Sequence, residues 1–271
     1  TNCTFEGNSA GGWGGGMYCL RSSPTLTDVV FSGNFAGSTH CTPGNGGAIY
    51  CVLGALTVTN GQFLGNWASP ICETGWPDGI GGRGGAICAH GCTTALSNVY
   101  FGGNQAGTDR GGGGGAISCS GGRMSIVGSE FHENIAHLGP GGGPGGAISA
   151  PDCDLSLQSV LFARNAVYDL RGGGAIYVGS STSAQITDAT LVGNRAVVGS
   201  GIACGPQTVI NRTIIADGES GEAIDGDALL QCCDIHGNEG GDWVGDIEDQ
   251  LGVNGNISAD PQFCGLSWYE L

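Results

Sequence analysis

The residues best able to do chemistry in this chain are its 13 cysteines. That number in 271 residues points to an oxidising compartment, where thiols pair. A zinc site needs closely spaced ligand pairs. The tight ones here, Cys88-x3-Cys92 and Cys232-Cys233, are not followed by a matching second pair. The carboxylates come next. Asp152/Asp154 and Asp225/Asp227 are spaced i, i+2, so each pair shares one face of an extended strand. Two carboxylates so placed can act as acid and base on a glycosidic bond, but solvated turn residues or a Ca²⁺ contact account for them more simply. The stretch Asp242, Asp246, Glu248 and Asp249 could bind Ca²⁺ with loop carbonyls, although it lacks the Asp-x-Asp-x-Asp-Gly spacing of a dedicated loop. Asp225, Asp227, Asp242 and Asp246 are therefore the metal candidates, and no other cofactor is expected. His40, His90, His132, His137 and His236 show no ligand spacing, and His132 and His137 are expected to face solvent. Gly111–Gly115 and Gly141–Gly146 lack the strand-to-helix context of a phosphate loop. No catalytic constellation emerges, and an enzyme is not expected.

Charge narrows the partners. Eight arginines, no lysine and 24 acidic residues give a formal charge of −16. Such a field repels nucleic acid and anionic membranes. No apolar run reaches the roughly 20 residues of a membrane span. Fifty-six glycines would suit a disordered chain, yet 40% of the residues are hydrophobic and regularly placed. A repeat that needs unusual backbone at fixed places explains both facts.

The elements that must position these groups come from that repeat. An Asn preceded three residues earlier by an aromatic recurs as Phe5/Asn8, Phe31/Asn34, Phe63/Asn66, Phe101/Asn104, Phe131/Asn134 and Phe162/Asn165. Leu191/Asn194 and Ile235/Asn238 are weaker copies, and Val209–Gly218 has room for a unit that lost its Asn. Leu26, Val58, Leu96, Ile126, Leu157, Ile186 and Leu230 hold a second column, eight residues before the Asn. A Gly-Gly-Ala-Ile strand follows, as in Gly46–Ile49, Gly84–Ile87, Gly114–Ile117, Gly145–Ile148 and Gly173–Ile176. The period averages about 29 residues, within the solenoid range. Each unit holds short apolar stretches between glycines, which predicts strands that bury their faces only by stacking. Stacked Phe, aliphatic and Asn columns follow, the Asn amides bonding from coil to coil at a corner where Asn tolerates left-handed backbone.

The alternation of Gly-Gly-Ala-Ile with Phe-x-x-Asn-x-Ala resembles the repeat of right-handed parallel β-helix proteins of bacterial surfaces, the polymorphic outer-membrane proteins among them. The resemblance covers about residues 1–238. Cys232-Cys233-Asp234-Ile235, Gly240-Gly241-Asp242-Trp243 and Asn256-Ile257-Ser258-Ala259-Asp260-Pro261-Gln262-Phe263 resemble a closing coil. It implies an all-β, right-handed parallel β-helix of about nine coils, a single domain over 1–271 with a closing coil or cap over about 239–271. At the strand spacing of a sheet such a rod is on the order of 40 Å long. The resemblance also implies a secreted or cell-surface location.

On this scaffold the insertions Gly37–Asn45, Ser69–Arg83 and Leu138–Pro144 become surface loops along one edge. Cys41 and Cys72 then fall side by side in successive insertions and are expected to pair. Cys51, Cys88, Cys92 and Cys119, just after the Gly-Gly-Ala-Ile strand, are candidates for bridges between coils, with the pairing open. Cys3 and Cys233 share a column near opposite ends and, with Phe5, are candidate contacts between stacked copies. Thr1 opens inside a repeat, as expected of a trimmed or mature chain with an open strand edge. The functional expectation is a non-enzymatic structural or adhesive surface protein, partnered by a host or matrix surface or by itself in a head-to-tail filament. The alternatives are a polysaccharide lyase or hydrolase, with Trp13, Trp67, Trp76, Tyr50, Tyr100, Tyr168 and Tyr177 as sugar-stacking candidates, or a glycan-binding module.

Overall fold

A computed structural model of the chain describes residues 1–37, 44–69, 82–107, 112–136, 143–168 and 172–264. Cys41, Cys72 and most of the three insertions lie outside the described residues.

Each repeat folds into one coil of short strands that pair only with the coils before and after. In one coil these are Ile87–His90, Thr93–Ser97, Tyr100–Gly102 and the two-residue Gln105–Ala106. The first three lie in one continuous parallel sheet that bends around the rod, the last in a second parallel sheet. This is a parallel β-helix, as the repeat predicts. The aromatic register runs unbroken through Phe5, Phe31, Phe63, Phe101, Phe131, Phe162, Leu191, Ile215 and Ile235. The unit around Val209–Gly218 is therefore a coil, with Gly218 in the Asn position.

The stacks form because identical residues fall at identical places. From Phe5 to Phe162, neighbouring rings lie 4.4–5.1 Å apart and within 13° of parallel. From Phe31 onward these rings are fully buried. Beside them the Asn side chains form a ladder. Asn104 donates its backbone N–H and its Nδ2–H to Asn134 Oδ1 at 3.0 and 2.9 Å, and a second Nδ2–H to the Phe63 carbonyl at 2.9 Å. The same three bonds recur at Asn34, Asn66, Asn134 and Asn165. Every polar atom of a buried amide is thus satisfied, which burial requires.

The left-handed corners lie not at the Asn residues themselves but at their neighbours one position earlier, mostly glycines. There Gly7, Gly33, Gly65, Gly103, Gly193 and Gly237 have φ of 56–75°. The Asn keeps ordinary backbone because its job is to reach both neighbouring coils. A second left-handed corner accepts varied residues: Asp28, Asn60, Asn98, Ser159, Asp188 and Arg212, at φ of 46–55°.

The second glycine of Gly-Gly-Ala-Ile has a different reason. A Cβ on Gly85 would lie 2.1 Å from the Gly115 carbonyl oxygen and 2.5 Å from the Gln105 backbone nitrogen. The interior is pinched there, and in this coil a side chain in that place would collide with the opposing backbone.

The end of the rod is closed by residues 239–264. Ile247, in the 3-10 turn Gly245–Gln250, is fully buried in the core. Gln250 accepts from the Leu230 N–H at 2.9 Å and donates to the Ala228 carbonyl at 2.8 Å. Asn256 accepts from the Cys233 N–H at 3.0 Å and donates to the Leu230 carbonyl at 3.1 Å. Among the described residues no helix is long and apolar enough to cross a membrane.

Candidate functional site

The face of the rod formed by the Gly-Gly-Ala-Ile strands carries a column of aromatic and polar side chains. Along it the column just after the Ile runs Tyr18, Tyr50, Cys88, Ser118, Ser149 and Tyr177 in register. Beside it runs a row of backbone bridges, Trp13 to Asn45 to Arg83.

At the first coils the face is aromatic. Tyr18 and Tyr50 stack at 5.7 Å, and Trp13 lies 6.0 Å from each ring. Trp13 is 54% and Tyr18 47% exposed, so the rings form an open platform. Further along, Arg83, Ser118, Pro144, Ser149, Pro151 and Tyr177 line a cavity of about 180 Å³. Arg83 ties the two together electrostatically. Its guanidinium acts on both the Tyr50 hydroxyl and the Cys88 thiol. Burial nevertheless raises the Tyr50 hydroxyl above its ordinary value, helped by the neighbouring Cys88 and Tyr18. Burial likewise pushes Cys88 up to about 12. Both groups are therefore neutral at pH 7, and Arg83 supplies the positive charge of this face. Flat rings beside an amide and a guanidinium bind the apolar face of a planar or pyranose ring while hydrogen bonding its edge.

A second concavity, of 370 Å³, opens on the next face, among Thr93, Arg123, Ser125, Asp154, Ser156 and Gln185. Asp152 and Asp154 both point outward, on either side of buried Cys153, as their spacing implied. Asp154 is in register with Arg123 and Asp152 with Ser120. This face offers short polar groups without a ring.

The other sequence candidates are placed as follows. Cys119 is bonded to Cys153, a partner the sequence reading did not name. Cys51, Cys88 and Cys92 are unbonded, and Cys88 lies in the outer column rather than beside the other two. Cys3 is exposed, and Phe5 stacks on Phe31. Cys233 cannot serve as an end contact. It is 1% exposed because the closing segment covers it, Ile257 bonding to its carbonyl. Asp225, Asp227, Asp242 and Asp246 do not converge on a metal site: among the described residues no three His, Cys, Asp or Glu groups gather to hold an ion. Asp242 instead binds the last corner, accepting from Gly237 N, Asn238 N and Asn238 Nδ2 at 2.8–3.1 Å. His132 does not simply face solvent. It stacks on Tyr100 at 5.2 Å and contacts Glu130 at 3.0 Å. Tyr18 was missed as a platform residue, since only the coil-to-coil register brings it against Tyr50.

Three stretches of the chain, residues 2–19, 28–52 and 98–120, match the family model of the Chlamydia polymorphic membrane protein repeat. No curated protein and no solved structure matches the chain.

Proposed function

From a chain that carries the polymorphic membrane protein repeat on a parallel β-helix, we propose a non-enzymatic adhesive rod of a bacterial surface. It holds a glycan against the platform of Trp13, Tyr18 and Tyr50. The repeat supports the surface location. The observation that carries the adhesive reading is the exposed three-ring platform beside Asn45 and Arg83. Stacking supplies affinity through ring area, and Asn45 and Arg83 supply orientation. The capped end favours a rod that works singly over a filament, because edge groups a second copy would pair with, among them the Leu230 and Cys233 N–H groups and the Ala228 and Leu230 carbonyls, are taken up by Gln250 and Asn256.

The test is binding of the purified chain to an immobilised panel of neutral and acidic oligosaccharides. Trp13→Ala combined with Tyr18→Ala should weaken retention on the best ligand by at least about tenfold, the loss typical of a stripped aromatic hot spot. The melting temperature should hardly change, since both rings are half exposed. Retention unaffected by the double substitution would remove the platform as the binding site, and release of reducing sugar from any oligosaccharide would overturn the non-enzymatic reading.

A further inference from the structure

The Cys119–Cys153 bridge occupies a position that the fold repeats once more. Cys119 stands two residues after Ile117, and Cys153 five residues after Ile148 of the next coil. Cys51 stands two residues after Ile49, and Cys92 five residues after Ile87, again of the next coil. The residues around each pair match as well. One coil reads Cys51-Val52-Leu53-Gly54 and the next Ala89-His90-Gly91-Cys92. Two coils on, the same pattern returns as Cys119-Ser120-Gly121-Gly122 and Ala150-Pro151-Asp152-Cys153. Facing residues are small: Ala89, in the coil of Cys92, is in register with Cys51, and Gly122, in the coil of Cys119, is in register with Cys153. Gly and Ala leave the space that two sulfurs crossing between columns need.

We propose that Cys51 and Cys92 form a second disulfide between coils, equivalent to Cys119–Cys153. The sulfurs already lie 3.0 Å apart, buried in the core. The Cys92 thiol donates toward Cys51 Sγ and lies 3.4 Å from the His90 carbonyl oxygen, so the two sulfurs face each other across the two coils. The bridge forms by exchange with a small-molecule disulfide such as oxidised glutathione. The Cys92 thiolate attacks one sulfur of the reagent, forming a mixed disulfide and expelling one thiolate. Cys51 then loses its proton and attacks the Cys92 sulfur, expelling the second thiolate. Two electrons pass from the two cysteines to the reagent, which leaves as two thiols. Both sulfurs are buried in the folded rod, so exchange belongs to the stage at which the two coils are docking. Cys19, in register with Cys51, is the competing thiol.

The whole chain, folded in a glutathione redox buffer, alkylated and digested without reductant, gives the answer by mass spectrometry. A peptide containing Cys51 linked to one containing Cys92, alongside the Cys119–Cys153 link, is the expected result. Protein that carries the Cys119–Cys153 link while Cys51 and Cys92 are both alkylated would overturn the proposal, as would a Cys51–Cys19 link. A second measurement separates the bridge from mere packing. Serine at both Cys51 and Cys92 should lower the melting temperature by on the order of 5–10 °C without reductant. The gap between variant and parent should largely close in reductant. A gap of equal size in both conditions would mean that the sulfurs only fill space.

Discussion

At the scale of single residues, the fold rests on a coupling between two positions that face each other across the pinched interior. In most coils the second glycine of Gly-Gly-Ala-Ile opposes the corner that carries the Asn. In one coil the pair is exchanged: Ser200 stands in the glycine place and Gly218 in the Asn place. A Cβ on Gly218 would meet Ser200 Oγ at 2.2 Å and Asn238 Oδ1 at 2.6 Å. Gly218 also keeps the ladder alive, its N–H donating to Asn238 Oδ1 at 2.9 Å. Gly218→Asn, which restores the repeat consensus, should therefore destabilise the chain by about 1–3 kcal/mol, the usual cost of overpacking. Adding Ser200→Gly should recover most of it. Urea denaturation of the two variants checks this, and additive losses would show that the positions are independent. The Phe and Asn columns were legible in the sequence because one residue type repeats at one spacing. The Ser200–Gly218 exchange was not, because it is visible only across the coil.

At the scale of elements, the same distinction separates the strands from the corners and the cap. The apolar alternation and the glycines announce each strand. The second left-handed corner stayed hidden because its residues vary. What they share is the turn and the contacts it offers, as where Asn60 donates to Asp28 at 3.0 Å and Arg212 binds Asp188 at 2.7 and 2.9 Å. That guanidinium holds the Asp188 carboxyl below its ordinary value, but both groups are exposed and the pair adds little to stability. Cys233 was misread for a related reason: its column is right, but the irregular chain of 254–257 covers it. The cap also makes its own prediction. Ile247 is the apolar plug of the 3-10 turn, so Ile247→Asp should undock the cap and uncover the last coil's edge. Size-exclusion chromatography with light scattering should then show concentration-dependent association that the parent chain lacks. A monomeric Ile247→Asp variant with an unchanged melting curve would mean that the cap is held by Gln250 and Asn256 alone.

At the scale of the whole molecule, the rod is a line of nearest-neighbour contacts, so its stability varies along its length. Charge varies with it. Twelve of the 24 carboxylates lie between Asp217 and Asp260, a stretch with no Arg or Lys. The coils through 84–136 are by contrast sparsely charged and hold the central part of the Phe stack and the Asn ladder. Repulsion among carboxylates on the closing coils acts against their docking, and it is screened once the Debye length falls from about 30 Å at 0.01 M salt to below about 10 Å. Raising salt from 0.01 to 0.3 M should therefore slow amide hydrogen exchange in residues 217–257 by severalfold, while the strands at 87–97 and 117–127 change little. A uniform effect along the rod would instead mean that the molecule opens as one cooperative unit, with the net charge of −16 acting on all coils together.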